Sequence, residues 1–194
     1  GSGKTEILLQ LQKSKIPVID LEGLAHHKGS AFGALGQHEQ ASQEQFENKL
    51  AGALFHASNA HPYFWIEDES QRIGTNMLPI TFFKNIRNSI CYFIDIPFES
   101  RLQFIVEAYG KFAVADLIAA TLRIQKRLGG LETKTAVNYL VENNVEAAFS
   151  ILLKYYDKVY LKNLETAAIP KFKTEKIEAP EVNPIQNAGL FMHL

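Results

Sequence analysis

The sequence contains one cysteine, Cys91, so it cannot form a disulfide within the chain. Few cysteines are typical of proteins in a reducing compartment, and we expect a cytoplasmic location. No apolar run approaches the ~18 residues that a membrane-spanning helix needs. No signal peptide is recognisable either, so we expect no membrane partner.

The chain also lacks an excess of charge of either sign. It has 20 Lys and Arg against 21 Asp and Glu, which gives a formal net charge of −1. A strongly basic chain would indicate a nucleic-acid-binding protein, and this composition gives no such signal. A local basic patch is still compatible with it.

The sequence contains enough apolar residues to form a core. Its pattern of apolar runs is typical of an α/β protein. Hydrophobic residues make up 46% of the chain. Short apolar runs at 16–21 (IPVIDL), 63–68 (YFWIED) and 90–96 (ICYFIDI) predict buried parallel strands. Helical patterns lie between them, and this alternation favours an α/β architecture. Asp20 and Asp68 end two of the strands, where ligands bind in open α/β sheets.

Three regions follow from the pattern. We predict an α/β core over 1–110 and a helical extension over 111–166, which contains VADLIAATLRIQKRLGG and NVEAAFSILLKYYDKVYLKNL. Residues 167–194 carry three prolines and scattered charge, and we predict an extended or partly disordered tail.

The chain opens with GSGKT followed by an apolar helical pattern. These residues match the end of the phosphate-binding loop signature G-x-x-x-x-G-K-[ST]. Backbone N–H groups, the start of the helix and the Lys charge would bind phosphate, and the Thr hydroxyl would meet Mg²⁺. The predicted phosphate-binding residues of this loop are Gly1, Ser2, Gly3, Lys4 and Thr5. The alternative is a flexible segment that merely begins with Gly-Ser.

The loop and the strands together predict a three-layer, P-loop NTPase-like parallel sheet with a helical C-terminal extension. In such folds a central strand precedes the loop, so we expect the first strand of the sheet to lie upstream of Gly1. YFWIED is similar to a Walker-B strand, which ends in carboxylates that hold Mg²⁺. Candidate catalytic carboxylates are Asp20, Glu67 and Asp68, and we expect Thr5, Asp20 and Asp68 to hold Mg²⁺. The alternative is that both strands end in ordinary solvated acidic turns.

A glycine-rich segment, GLAHHKGSAFGALGQ, follows the first predicted strand. We predict a loop that closes over ligand or RNA through His26, His27 and Lys28, or else a plain surface loop. Zinc is not expected there, because adjacent histidines do not converge easily on one metal and the chain offers no spaced companion ligands.

The remaining candidates are arginines and one basic cluster. Arg72 lies beside the acidic EDES segment and could act at the site or pair with Glu69. Arg101 could bind phosphate in a bidentate manner or lie on a helix surface. In RIQKR the cations could bind an RNA backbone or form a solvated helix end. The cations of this cluster are Arg123, Lys126 and Arg127.

Several longer stretches carry a specific resemblance. VIDLEGLAHHKGSAFG, FENKLA, WIEDESQRIG, RLQFIVEAYG, LRIQKRLGG and LLKYYDKVY, within 1–164, resemble the C-terminal P-loop domain of bacterial tRNA 2-selenouridine synthases. The resemblance implies a transferase that acts on 2-thiouridine at the tRNA wobble position. It implies geranylation of the sulfur by geranyl diphosphate, followed by displacement with selenium from selenophosphate. It also implies an N-terminal rhodanese-like domain with the catalytic cysteine, which Cys91 does not match.

The resemblance gives the phosphate-binding loop a specific expectation. Geranyl diphosphate, selenophosphate or a nucleotide would occupy it, with Mg²⁺ as the expected cofactor and tRNA as the macromolecular partner. Two other functions stay open from the residues alone. One is a P-loop nucleotide kinase or NTPase. The other is a non-catalytic tRNA- or phosphate-binding module that serves the rhodanese-like domain.

Overall fold

The computed structural model describes residues 1–166 and 173–194. The helices are α1 Lys4–Lys13, α2 Leu21–Ala25, α3 Gln43–Ala60, α4 Ile80–Arg87, α5 Phe98–Tyr109, α6 Val114–Arg123, α7 Gln125–Leu128, α8 Gly130–Val141, α9 Val145–Thr166 and α10 Pro184–Gly189. The strands are β1 Val18–Ile19, β2 Trp65–Ile66, β3 Arg72–Ile73, β4 Asn76–Met77, β5 Ile90–Asp95 and β6 Lys173–Glu178. None of the helices within the described residues is long and apolar enough to cross a bilayer.

The strands pair in twos. β1 and β2 are parallel, with Val18 opposite Trp65, and β5 and β6 are parallel, with Ile90 opposite Lys173. β3 and β4 form a small antiparallel pair. All three predicted strands are present, although the first two are shorter than their apolar runs. The fold is therefore mixed α/β with parallel strands, whereas the predicted three-layer sheet is not confirmed, because each described sheet has two strands.

Helix α1 joins the two parallel pairs. Its buried residues Ile7, Leu8 and Leu11 pack into one core with side chains from β1, β2, β5 and β6. Trp65 of β2 lies in this core, with its ring centroid 5.3 Å from that of Tyr92 on β5. Trp65 thus packs in the core that α1 shares with the two parallel strand pairs.

The glycine-rich segment is anchored to the helical extension. Phe32 is 3% exposed, and its ring centroid lies 5.4 Å from that of Phe149 on α9. The Ala31 N–H donates to the Tyr156 hydroxyl at 3.2 Å. Neither a closing loop nor a plain surface loop describes this arrangement, because an aromatic side chain of the segment belongs to the core of α5, α6, α8 and α9.

The C-terminal residues are more ordered than the sequence predicts. Over 173–194 the chain forms β6 and then α10, whose Asn183 cap accepts from the Gln186 N–H. Ala188 and Phe191 are buried against α1. The prediction of an extended tail is therefore wrong for these residues, while 167–172 lies outside the described residues. Strand β6 was not predicted because its sequence, KTEKIE, is mostly polar and its partner β5 lies far away in the sequence.

Candidate functional site

The loop at the start of the chain turns directly into α1. Gly3 is the N-cap of this helix and has φ 70°, a left-handed conformation that favours glycine. A Cβ at Gly3 would lie 2.9 Å from Val182 Cγ1, and one at Gly1 would lie 2.9 Å from Ile105 Cγ2. Small residues are thus required here on both conformational and steric grounds. Ser2, between them, is partly buried, and the free N–H groups at the start of α1 favour an anion.

Lys4 and Thr5 both contact a buried carboxylate that follows β1. Lys4 Nζ forms ion pairs with Glu22 and with Glu69, the latter at 2.9 Å from Oε1. Thr5 Oγ1 donates to Glu22 Oε2 at 2.9 Å. Glu22 is 4% exposed. We call this group, completed by Glu67, the Lys4 centre.

Asp20 places Glu22 in the Lys4 centre. Asp20 is the N-cap of α2, and its Oδ1 accepts from the Gly23 N–H at 2.7 Å. The cap starts a short helix directly after β1, with Glu22 in its first turn. The predicted metal ligand Asp20 is therefore a helix cap in this structure, next to the centre.

Glu67 is the most buried carboxylate of the centre, at 2% exposed. Its Oε2 accepts from the Leu21 N–H at 2.8 Å, and its Oε1 has no hydrogen-bond partner among the described residues. Burial raises the pKa of Glu67 to about 8; the Lys4 charge opposes this rise, and Asp20 adds to it. Glu67 is thus mostly protonated at neutral pH.

The pKa values of the other groups of the centre are shifted because one cation lies among several carboxyl groups. Burial opposes the charge of Lys4, but Glu69 and Glu22 outweigh it and raise the pKa of Lys4. Burial would also raise the pKa of Glu22, but the Lys4 charge and its hydrogen bond prevail and lower it. Burial and then Glu22 raise the pKa of Glu69 despite Lys4. The centre therefore holds an ionised Lys4–Glu22 pair beside carboxyls that tend to keep their protons.

Asp68 lies away from the Lys4 centre. Its Oδ1 accepts from Arg87 Nη1 at 3.4 Å, and its Oδ2 lies 3.3 Å from the Tyr160 hydroxyl and 3.8 Å from Cys91 Sγ. Asp68 follows Glu67 in a turn after β2, where the Glu69 N–H donates to Glu67 O at 2.9 Å, and the two side chains have different partners. The structure therefore does not bring the predicted trio of Thr5, Asp20 and Asp68 together. Within the described residues no group of three or more His, Cys, Asp or Glu side chains could hold a metal ion by itself.

Arg101 lies beside the loop but points its donors elsewhere. Its Nη1 and Nη2 bind the two carboxylate oxygens of Asp157 on α9 at 2.7 and 2.9 Å. Its Nε donates to Ile96 O at 3.0 Å. These bonds fix α5 to α9, so the structure gives Arg101 a structural role in place of the predicted phosphate contact.

Arg72 and Glu69 do not pair. Arg72 Nε donates to Gly74 O at 3.0 Å, whereas Glu69 binds Lys4. Gly29, which follows the two histidines, approaches Glu69 so closely that a Cβ there would lie 2.3 Å from Oε2. The glycine-rich segment therefore covers one side of the Lys4 centre.

The loop candidates each have a different partner. His26 Nδ1 lies 3.0 Å from Glu39 O, and His27 Nδ1 accepts from the Gly29 N–H at 3.1 Å. Burial lowers the pKa of His27. Lys28 Nζ lies 5.9 Å from the ring centroid of Tyr109. The nearby Glu22 carboxylate opposes this lowering of the His27 pKa.

Sequence reasoning missed Glu22 and assigned Glu69 a different partner. Both are acids within two residues of a predicted strand end, on the same turns as Asp20 and Asp68. The signal that would have found them is the loop lysine itself, because a partly buried cation requires carboxylates nearby. The acids of DLEG and EDES that lie near Lys4 are selected by packing, which the sequence does not show.

Comparison with known proteins identifies the family. Residues 1–179 match the family described as "tRNA 2-selenouridine synthase AAA domain". A tRNA 2-selenouridine synthase of Shewanella frigidimarina is 35% identical over 85% of this chain and 52% of the relative, and one of Shewanella piezotolerans is 33% identical over 87% and 53%. One of Nitrosomonas eutropha is 33% identical over 73% of this chain and 36% of the relative.

No solved structure matches the chain. The chain spans about half the length of the two Shewanella relatives. The family match covers the loop, the Lys4 centre and the helical extension. The chain therefore belongs to the family of the tRNA 2-selenouridine synthase AAA domain.

Proposed function

We propose that this chain is the phosphate-binding domain of an enzyme that converts 2-thiouridine in tRNA to S-geranyl-2-thiouridine and then to 2-selenouridine. The observation that carries the proposal is the Lys4 centre at the start of α1, in a chain whose relatives are named tRNA 2-selenouridine synthase. The relatives are about twice as long, which leaves room for a rhodanese-like domain with the catalytic cysteine.

The Lys4 centre suits a phosphate-bearing substrate. Geranyl diphosphate and selenophosphate are both anionic, and α1 offers its free N–H groups beside the Lys4 charge. An entering phosphate would replace Glu22 or Glu69 as the partner of Lys4. Burial raises the pKa of Glu67 to about 8 and also raises the pKa of Glu69, and both shifts reduce the negative charge that an entering anion would meet.

Mg²⁺ fits the chemistry of the centre, since its preferred ligands are hard oxygens. Thr5 and Glu22 would hold it, and Glu67 offers an oxygen that lacks a donor among the described residues. Asp68 is not part of this set, because it lies with Arg87 and Tyr160. When bound, the ion would neutralise part of the charge of the diphosphate.

In the geranyl transfer, the uridine sulfur forms a bond to C1 of the geranyl group while the C1–O bond breaks, diphosphate leaves and the N3 proton of the base is lost to water. Lys4 and the N–H groups of α1 would bind the diphosphate and stabilise the charge that develops on its bridging oxygen. Thr5 would orient it. This chain thus supplies binding and leaving-group stabilisation.

A nucleotide kinase or NTPase is the second candidate, favoured by the description of the family as an AAA domain. The same cradle would then hold ATP or GTP. Release of inorganic phosphate from either nucleotide, dependent on Lys4 and independent of tRNA, distinguishes this function from the first.

The proposal is tested with the full-length protein, a tRNA carrying 2-thiouridine, and geranyl diphosphate or selenophosphate. Mass spectrometry of the nucleosides should show S-geranyl-2-thiouridine and then 2-selenouridine. Lys4→Ala should lower the rate at least about tenfold, the loss typical of one charged contact. Lys13→Ala, on the exposed end of the same helix, is the matched control. Equal rates for both variants would remove the Lys4 centre from the reaction.

A further inference from the structure

A surface cavity lies on the helical extension between α6, α7 and α8, with the apolar Leu122 and Val137 as well as polar side chains in its lining. It has a volume of about 510 Å³. Its lining includes the side chains of Gln125, Lys126, Lys134 and Asn138, and no carboxylate or aromatic ring is among the described lining residues. A cavity with two ammonium groups and two amides favours an anion that accepts hydrogen bonds.

More cations flank the cavity. Arg123 and Arg127 lie at the junction of α6 and α7, and both are exposed, as are Lys126 and Lys134. None of these four forms an ion pair with a carboxylate among the described residues, in contrast to Lys4 and Arg101. The nearby acid Glu132 lies over Gly129, outside the lining of the cavity. We call these four residues, together with exposed Lys28, the basic surface.

The basic surface is continuous with the Lys4 centre through the anchored segment. Arg123 Nη1 donates to Ala31 O at 3.3 Å, and the Ala31 N–H donates to Tyr156. The same segment reaches the Lys4 centre at Gly29, where a Cβ would lie 2.3 Å from Glu69 Oε2. An extended polyanion on the basic surface would thus run toward the Lys4 centre.

We propose that the basic surface binds the phosphate backbone of the tRNA and positions it on the Lys4 centre. This inference rests on the proposed function, which supplies the tRNA. Exposed cations without carboxylate partners bind a polyanion by releasing counterions. Without aromatic side chains for base stacking in the cavity, the contact is to the backbone and is independent of sequence.

The test measures the affinity of the full-length protein for an unmodified tRNA transcript over a range of salt concentrations. The double variant Lys126→Glu/Lys134→Glu should weaken binding at least about tenfold at low salt and reduce the salt slope by about 2, one per lost phosphate contact. The control Lys13→Glu/Lys49→Glu makes the same charge change on exposed residues of α1 and α3 and should retain most of the affinity.

Further variants distinguish a loss of tRNA binding from misfolding and from a defect in the Lys4 centre. The neutral variant Lys126→Gln/Lys134→Gln keeps the hydrogen-bonding groups and should show a smaller loss, which guards against misfolding of the charge-reversed protein. Lys4→Ala should keep tRNA affinity while product formation falls, so that failure of the Lys4 centre and failure of the basic surface give different results. Equal effects of the two double reversals, or binding of anionic vesicles without tRNA binding, would overturn the inference.

Discussion

The Lys4 centre and the basic surface present cations in opposite settings. Lys4 contacts two carboxylates and lies beside a third, all in an enclosed site. The cations of the basic surface are exposed, and no carboxylate pairs with them in the described part of the chain. A compact anion therefore has to replace a protein partner at Lys4, whereas a polyanion meets a surface that is already available. The first setting favours selectivity and the second favours salt-dependent attraction.

The largest effect is expected when the cation of the Lys4 centre is removed. Lys4→Ala leaves Glu22 and its neighbours without their counter-charge. We expect the free energy of unfolding to fall by about 2–3 kcal/mol, less than for a fully buried pair because Lys4 is partly exposed. Urea unfolding at neutral pH measures it. Lys13→Ala should change it by less than about 0.5 kcal/mol, and a similar small change for Lys4→Ala would mean that the centre is not electrostatically coupled.

The protonation of Glu67 gives the second prediction. Its folded pKa of about 8 lies above the ordinary value of 4.5, so the folded state binds more protons than the unfolded state between these values. The contribution of Glu67 is fully present below about pH 4.5 and is lost as pH rises through about 8, with a slope of at most about 1.4 kcal/mol per pH unit.

Glu67→Gln mimics the protonated carboxyl and should remove this part of the pH dependence. Melting temperatures of the variant and of the wild type should therefore differ more in favour of the variant at pH 8.5 than at pH 5.5. Glu44→Gln, an exposed acid on α3, is the control. A variant whose stability follows the wild-type pH profile throughout would show that Glu67 is ionised in the folded protein.

The Arg101–Asp157 ion pair close to the loop is intermediate between these two settings, because both side chains are partly buried. Asp157→Asn weakens the bidentate contact and should lower the free energy of unfolding by about 1 kcal/mol. Arg101→Gln should lower it similarly and leave the affinity for geranyl diphosphate within about twofold, because a group that contacts no ligand contributes little to binding. A tenfold loss of that affinity in Arg101→Gln but not in Asp157→Asn would restore Arg101 as a phosphate ligand.

The sequence was sufficient for features that are local. The helix that follows the Gly3 loop and the positions of the three apolar strands follow from short patterns, and the structure confirms both. Features that depend on distant partners were not predictable. Arg101 meets a residue 56 positions away, and β6 pairs with a strand far upstream.

In the Lys4 centre, too, some features follow from local sequence and others depend on distant partners. Local sequence places acids at both strand ends, but whether Glu67 or Asp68 lies near Lys4 depends on the turn that follows β2, in which the Glu69 N–H donates to Glu67 O. The choice of Glu22 over Asp20 depends on the cap that starts α2. Such choices are made by packing, which a single sequence does not reveal.

Calorimetric titration of geranyl diphosphate into the full-length wild-type protein, Lys4→Ala and Lys13→Ala examines the phosphate-binding role of the centre. The account predicts saturable binding to the wild type and to Lys13→Ala, and an affinity at least about tenfold weaker for Lys4→Ala. Equal affinity for all three proteins would contradict it.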